Sequence, residues 1–221
     1  MTKIVPRTAL LAGATGLTGA ALLPLLAASP RYARVHVLAR RPLAKPGSKI
    51  EAHVVDFDAL DAWAEFPRVD DVYCCLGTTI RVAGSQAAFR KVDFDYVVAV
   101  ACRARALGAA RFAVVSAMGA ARRSMVFYSR VKGEMEAAVA ELGFESVTIV
   151  RPSFLDGERT EKRAGEGLAL ALARAFEPVI LKRYRAVPAI AVARAMLHFG
   201  LEGAPGVAIV PSDRLLAFRD A

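Results

Sequence analysis

The segment Gly13-Ala14-Thr15-Gly16-Leu17-Thr18-Gly19 constrains the fold of this chain more than any other stretch. An apolar run, Thr8–Ala12, leads into it and an Ala- and Leu-rich run follows it, so the glycines stand where a strand turns into a helix. The spacing G-x-x-G-x-x-G is a variant of the G-x-G-x-x-G turn that opens a doubly wound sheet. One glycine makes the tight turn, the next lets backbone approach a pyrophosphate, and the third lets helix pack on strand. The free amides and the dipole at the helix start favour the phosphates. Without its flanks the triplet would read as a tight turn in an Ala-rich segment. With strand before and helix after, it predicts a dinucleotide site formed by Gly13, Ala14, Thr15, Gly16, Leu17, Thr18 and Gly19.

The rest of the chain repeats the alternation. Apolar runs at Thr8–Ala12, Val35–Ala39, His53–Asp56, Asp71–Cys75, Phe112–Ser116, Val147–Val150 and Val207–Val210 read as strands. Gly16–Ala28, Ala59–Phe66, Ala87–Leu107, Val126–Leu142, Leu168–Ala175 and Ile190–Leu201 read as helices, and the polar stretch Leu155–Gly167 as a loop. This order predicts an α/β fold, a Rossmann-type doubly wound parallel sheet with helices on both faces. With 221 residues, 55% of them apolar, the chain suits a single domain over 1–221, with about 152–221 contributing a small substrate lobe. Right-handed crossovers put every strand's carboxyl end on one edge, and ligands of such sheets bind there.

The net charge of +9 invites a nucleic-acid reading until it is located. Residues 1–50 hold eight Lys or Arg and no Asp or Glu, whereas the remainder carries 22 basic and 21 acidic side chains. Such regional basicity points to one anionic group near the N-terminal third, not to a nucleic-acid surface. Arg40 and Arg41 follow the second strand about twenty residues beyond Gly19, and no acidic residue lies between Ala20 and Ile50. A carboxylate there would accept from the ribose 2′-hydroxyl of NAD; an Arg suits a 2′-phosphate, so the expected cofactor is NADP(H) in preference to NAD(H). The uncharged run from Thr8 to Pro30 could pass for a membrane span, but its three glycines and Pro24 interrupt it. Three cysteines, two of them adjacent, fit neither a disulfide framework nor a zinc motif, and suggest a reducing, cytoplasmic setting without membrane attachment.

Tyr128-Ser-Arg-Val-Lys132 carries the chemistry. Residues four apart share a helix face, so phenol and ammonium can reach one site, and a neighbouring ammonium favours phenolate. The same spacing occurs in any amphipathic helix with a core Tyr and a surface Lys. Ser116, at a strand end twelve residues earlier, and the upstream glycines favour a catalytic trio of Ser116, Tyr128 and Lys132. His36, His53 and His198 share no spacing and read as structural, Cys74 and Cys75 as packed at a strand end, and Asp93 and Asp95 as too poorly placed for a paired-carboxylate site.

These residues resemble the atypical short-chain dehydrogenases/reductases. The likeness sharpens with Cys75-Leu76-Gly77-Thr78-Thr79, Val92-Asp93-Phe94-Asp95-Tyr96-Val97, Lys132-Gly133-Glu134, Arg151-Pro152 and Val187-Pro188, which together resemble the oxidoreductase HTATIP family over nearly the whole chain. The resemblance implies that Gly13, Gly16 and Gly19 form the phosphate loop, that Arg40 and Arg41 hold the 2′-phosphate, and that Asp56 contacts adenine. It implies further that Leu76, Gly77 and Thr78 pass the nicotinamide, that Pro152, Ser153 and Phe154 flank its amide, and that Ser116, Tyr128 and Lys132 form the active-site trio. Asp93 departs from the superfamily, many members of which have an Asn there. The expectation is an NADPH-dependent reductase of a small-molecule carbonyl. The alternative is a non-enzymatic NADP(H) sensor that acts on a protein partner through the Leu155–Gly167 loop.

Overall fold

A computed structural model describes residues 6–44, 47–156 and 181–220. The strands are β1 (Arg7–Ala12), β2 (Tyr32–Ala39), β3 (Ile50–Val54), β4 (Asp71–Cys74), β5 (Arg111–Val115), β6 (Ser146–Arg151), β7 (Leu155–Asp156), β8 (Val187–Pro188) and β9 (Gly206–Pro211). The α-helices among the described residues are α1 (Leu17–Ala28), α2 (Ile80–Ala83), α3 (Gln86–Arg90), α4 (Tyr96–Ala106), α5 (Phe127–Ala140), α6 (Ala189–Glu202) and α7 (Ser212–Leu215). Seven strands form one sheet in the order β3-β2-β1-β4-β5-β6-β9, every pair parallel, as a doubly wound fold requires.

Central strands such as β1 and β4 are buried on both faces, which is why they read as unbroken apolar runs. One face packs Leu10, Val72 and Val114 against α4 and α5 through Val97, Val100, Met135 and Val139. The other packs Ala9, Leu11 and Val37 against α1 and α6 through Leu22, Leu26, Val192 and Met196. Gly200 lets α6 lie on β4, since a Cβ there would stand 2.7 Å from the Tyr73 hydroxyl. The uncharged run from Thr8 to Pro30 is thus a buried strand and a core-facing helix, and no described helix is long and apolar enough to cross a membrane.

Four elements differ from the sequence reading. Ala59–Phe66 is no helix: Asp56 caps a 3₁₀ turn over Phe57–Ala62, its carboxylate accepting from the Asp58 amide at 2.9 Å, and Trp63 returns to extended backbone. For the same reason the third strand stops at Val54, short of Asp56. Ala87–Leu107 is interrupted between α3 and α4 by a π-helical turn, Lys91–Asp95, and such insertions re-aim side chains and recur at functional sites. Leu155–Asp156, expected in a loop, pairs with β8. The remainder of that loop and the expected helix Leu168–Ala175 lie outside the described residues. Within the segment expected to form a substrate lobe, β9 joins the main sheet beside β6.

Candidate active site

The glycine turn follows β1 directly. Gly13 has φ +85°, and the Gly16 amide donates to its carbonyl at 3.1 Å. A Cβ on Gly13 would lie 2.6 Å from the Cys75 carbonyl, and one on Gly19 2.1 Å from the Gly13 oxygen, so the protein's own packing demands both glycines. Gly16 differs. It is exposed, and a Cβ there would meet nothing closer than 3.5 Å, so the space in front of it is open to a ligand. Ala14 and Thr18 are buried, Leu17 half-buried and Thr15 exposed; the Thr18 hydroxyl has no hydrogen-bond partner among the described residues. Arg40 and Arg41 follow β2 along the same edge, exposed and without a partner among the described residues. Asp56, beyond β3, is exposed and caps the 3₁₀ turn.

Tyr128 and Lys132 lie one turn apart on α5, but Lys132 is not the surface residue an ordinary amphipathic helix would have there. Its side chain is 4% exposed and its ammonium is 2.7 Å from Asp93 Oδ1, itself fully buried. The π turn brings Asp93 inward, and its other carboxylate oxygen accepts from the Thr78 amide at 2.8 Å. Gly77 lies against the same pair: a Cβ on it would stand 3.3 Å from Asp93 Oδ1 and 3.7 Å from Lys132 Nζ. Burial works to lower the Lys132 pKa, yet the Asp93 carboxylate and the Tyr128 phenol hold it above the usual value. Tyr128 packs its ring, tilted, against Phe89, and burial raises its pKa; Lys132 works against that rise and Asp93 adds to it.

Ser116 follows β5, with its amide bonded to the Val150 carbonyl at 2.8 Å. The loop beyond it packs on α5: Ala121 donates to the Ser129 carbonyl at 3.0 Å, and Gly133 is needed because a Cβ would fall 2.3 Å from Ala121. The Ser116 hydroxyl is buried with no hydrogen-bond partner among the described residues, an arrangement that costs about 1–3 kcal/mol unless another group answers it. Leu76 and Thr78 are half-buried beyond β4. Beyond β6, Pro152 is buried with its carbonyl accepting from Met118, and Phe154 is 71% exposed. Ser153 bonds to the Ser212 hydroxyl and the Arg185 carbonyl, so it braces this loop.

Two features escaped the sequence. Asp93 is the partner of Lys132, a contact whose only sequence signal is a lone acid between Val92 and Phe94. His36 and His53, with no spacing in common, are brought nitrogen to nitrogen at 2.9 Å by the β2–β3 pairing, with Glu51 beside them. Among the described residues this is the one group of three side chains able to ligate a metal, but the two histidines point their ring nitrogens at each other. Cys74 is buried, which pushes its thiol up to about 12, and Cys75 packs its sulfur on Met196 at 3.8 Å.

The family described as NAD(P)H-binding matches residues 13–198. The chain belongs to that family. Protein HTATIP2 of Rattus norvegicus is 38% identical over 200 residues, 89% of this chain and 82% of the relative, which places the NAD(P)H-binding chain among the atypical short-chain dehydrogenases/reductases. Protein FMP52, mitochondrial, of Coccidioides immitis is 34% identical over 215 residues, 90% of this chain and 87% of the relative. Among solved structures, MoeE5 in complex with UDP-glucose and NAD superposes with a TM-score of 0.68 at 17% identity, over 95% of this chain and 80% of that one, a likeness of fold. The expected cytoplasmic location is overturned by the fungal relatives, several of which are named mitochondrial. Cysteine usage marks a reducing compartment but does not say which one.

The site fits the dinucleotide on its own terms: Gly16 leaves open space at a helix start, and two buried hydroxyls, on Thr18 and Ser116, lack partners among the described residues. When bound, NAD(P)H would supply a hydride.

Proposed function

We propose that this NAD(P)H-binding protein is an NADPH-dependent reductase acting on a carbonyl group of a small molecule. The observation that carries the reading is the Tyr128–Lys132 pair, drawn inward at the carboxyl edge of the sheet, together with the unpartnered Ser116 hydroxyl. In this reading Ser116 donates a hydrogen bond to the substrate carbonyl oxygen. Tyr128 gives that oxygen a proton as charge develops on it. Lys132 binds the cofactor's ribose. Arg40 and Arg41 supply two guanidiniums for a 2′-phosphate, and the absence of acidic residues between Ala20 and Ile50 supports NADPH over NADH. Asp56, Leu76, Gly77, Thr78, Pro152 and Phe154 complete the cofactor path.

The test is NADPH oxidation against a panel of aldehydes, ketones and quinones, with cofactor affinity measured in parallel. Tyr128→Phe is expected to lose ~10²–10⁴ in turnover with little change in NADPH affinity, because the hydroxyl serves the transition state. A parent protein that binds NADPH tightly and reduces nothing in the panel would overturn the reading in favour of an NADP(H) sensor.

A further inference from the structure

The feature that the proposed reaction does not explain is the carboxylate buried behind Lys132. Asp93 is fully buried, bonded on one oxygen to the Thr78 amide and paired through the other with the Lys132 ammonium at 2.7 Å. A lysine without such a partner would present a full positive charge to Tyr128 one turn away on the same helix face. Here that charge is met at contact distance, in surroundings with little water to screen either group.

We propose that Asp93 is a positioning residue that sets the pH range of the chemistry: by neutralising the Lys132 ammonium beside Tyr128, it keeps the phenol a proton donor throughout the neutral range. This rests on the reductase reading, in which Tyr128 is the acid. Reduction needs the phenol and alcohol oxidation needs the phenolate, so the paired site reduces at neutral pH and would oxidise only in alkaline solution.

Among the described residues, the groups around Tyr128 leave Lys132 and Asp93 to set its environment. Phe89 of α3 offers an apolar ring. On the neighbouring turns Arg90 pairs with Glu134 and Lys91 with Asp58, while Arg130 bonds to the Ser124 carbonyl. The Cys74 thiol of β4 is held protonated by burial. Ser116 is neutral. Burial and Asp93 both raise the Tyr128 pKa and Lys132 opposes them, in agreement with the geometry.

The experiment is an alkaline absorbance titration of phenolate in the full chain, with Tyr128→Phe subtracted so that the difference reports Tyr128 alone. It needs no substrate, so its outcome is separate from whether the protein is a reductase. In the parent, Tyr128 is expected to stay un-ionised up to at least pH about 10, the ordinary tyrosine value. Asp93→Asn should bring the midpoint down by about 1–3 pH units, the usual influence of a nearby ammonium, and Asp93→Glu should restore it. The upper limb of the reductive pH profile should move with the midpoint. Asp93→Asn/Lys132→Met, which removes both charges, should titrate like the parent and serves where Asp93→Asn does not fold. A parent midpoint below pH about 8, or an unchanged midpoint in folded Asp93→Asn, would overturn the proposal.

Discussion

The sheet carries a buried cluster of carboxylate, cation and tyrosine at each of its two edges, and strand β4 runs from one to the other. At the amino edge, Asp71 opens β4, accepts from Arg7 and, at 2.7 Å, from the Tyr32 hydroxyl, which in turn meets the Tyr73 hydroxyl at 2.8 Å. At the carboxyl edge, beyond the end of β4, Thr78 donates to Asp93, which pairs with Lys132 beside Tyr128. The residue types match, but their company does not. In the first cluster both tyrosines are bonded within the protein, and burial drives both phenols far above any working pH. In the second, a neighbouring strand end contributes a buried hydroxyl on Ser116 that nothing among the described residues answers, and the glycine turn opens nearby along the same edge. A buried ionic cluster is therefore weak evidence of chemistry by itself. An unanswered buried donor does not separate them either, since Arg7 Nη1 is one at the amino edge as the Ser116 hydroxyl is at the carboxyl edge; what separates the two edges is the open glycine turn beside the second.

Substitutions should divide along this line. The largest effect is expected from Gly16→Val, which fills the space in front of the glycine turn without touching the protein's own packing. Calorimetry should detect no NADPH binding, while circular dichroism stays that of the parent; gross unfolding would show that the glycine serves the core.

At the opposite edge, Asp71→Ala should cost about 3–5 kcal/mol of stability in urea unfolding, because it removes one partner of a buried pair whose carboxylate is 2% exposed. NADPH affinity of the folded fraction should not change. A loss of affinity there would join the two clusters into one unit and break the comparison.

A smaller and more selective loss is expected from Arg40→Ala and Arg41→Ala. Each should weaken NADPH binding by about 1.5–3 kcal/mol, the worth of a charge-assisted bond, and leave NADH binding unchanged. Equal losses for both cofactors in calorimetric titration would remove these arginines from the 2′-phosphate.

Much of this was legible in the sequence because it is local. The glycine turn, the apolar strands and the Tyr128–Lys132 spacing each depend on residues within a few positions of one another, and periodicity exposes them. The π turn was not legible, since Ala87–Leu107 keeps helical composition while one extra residue turns Asp93 toward Lys132. Ala59–Phe66 reads as a helix because its apolar spacing is helical, whereas the Asp56 cap starts a 3₁₀ turn two residues earlier and the return of Trp63 to extended backbone ends it. The His36–His53 contact follows from strand register across the sheet, which no spacing along the chain encodes.

The two tyrosines provide the most direct test of the difference between the edges. Tyr128→Phe and Tyr32→Phe should be measured side by side, for chemical unfolding and for turnover on a substrate found in the panel. Tyr32→Phe is expected to lose about 1–3 kcal/mol of stability, as Asp71 loses a buried donor, and to turn over like the parent. Tyr128→Phe is expected to unfold like the parent and to lose ~10²–10⁴ in turnover. Parental turnover in Tyr128→Phe, or a stability loss there matching that of Tyr32→Phe, would contradict the account and make the carboxyl-edge tyrosine another packed aromatic.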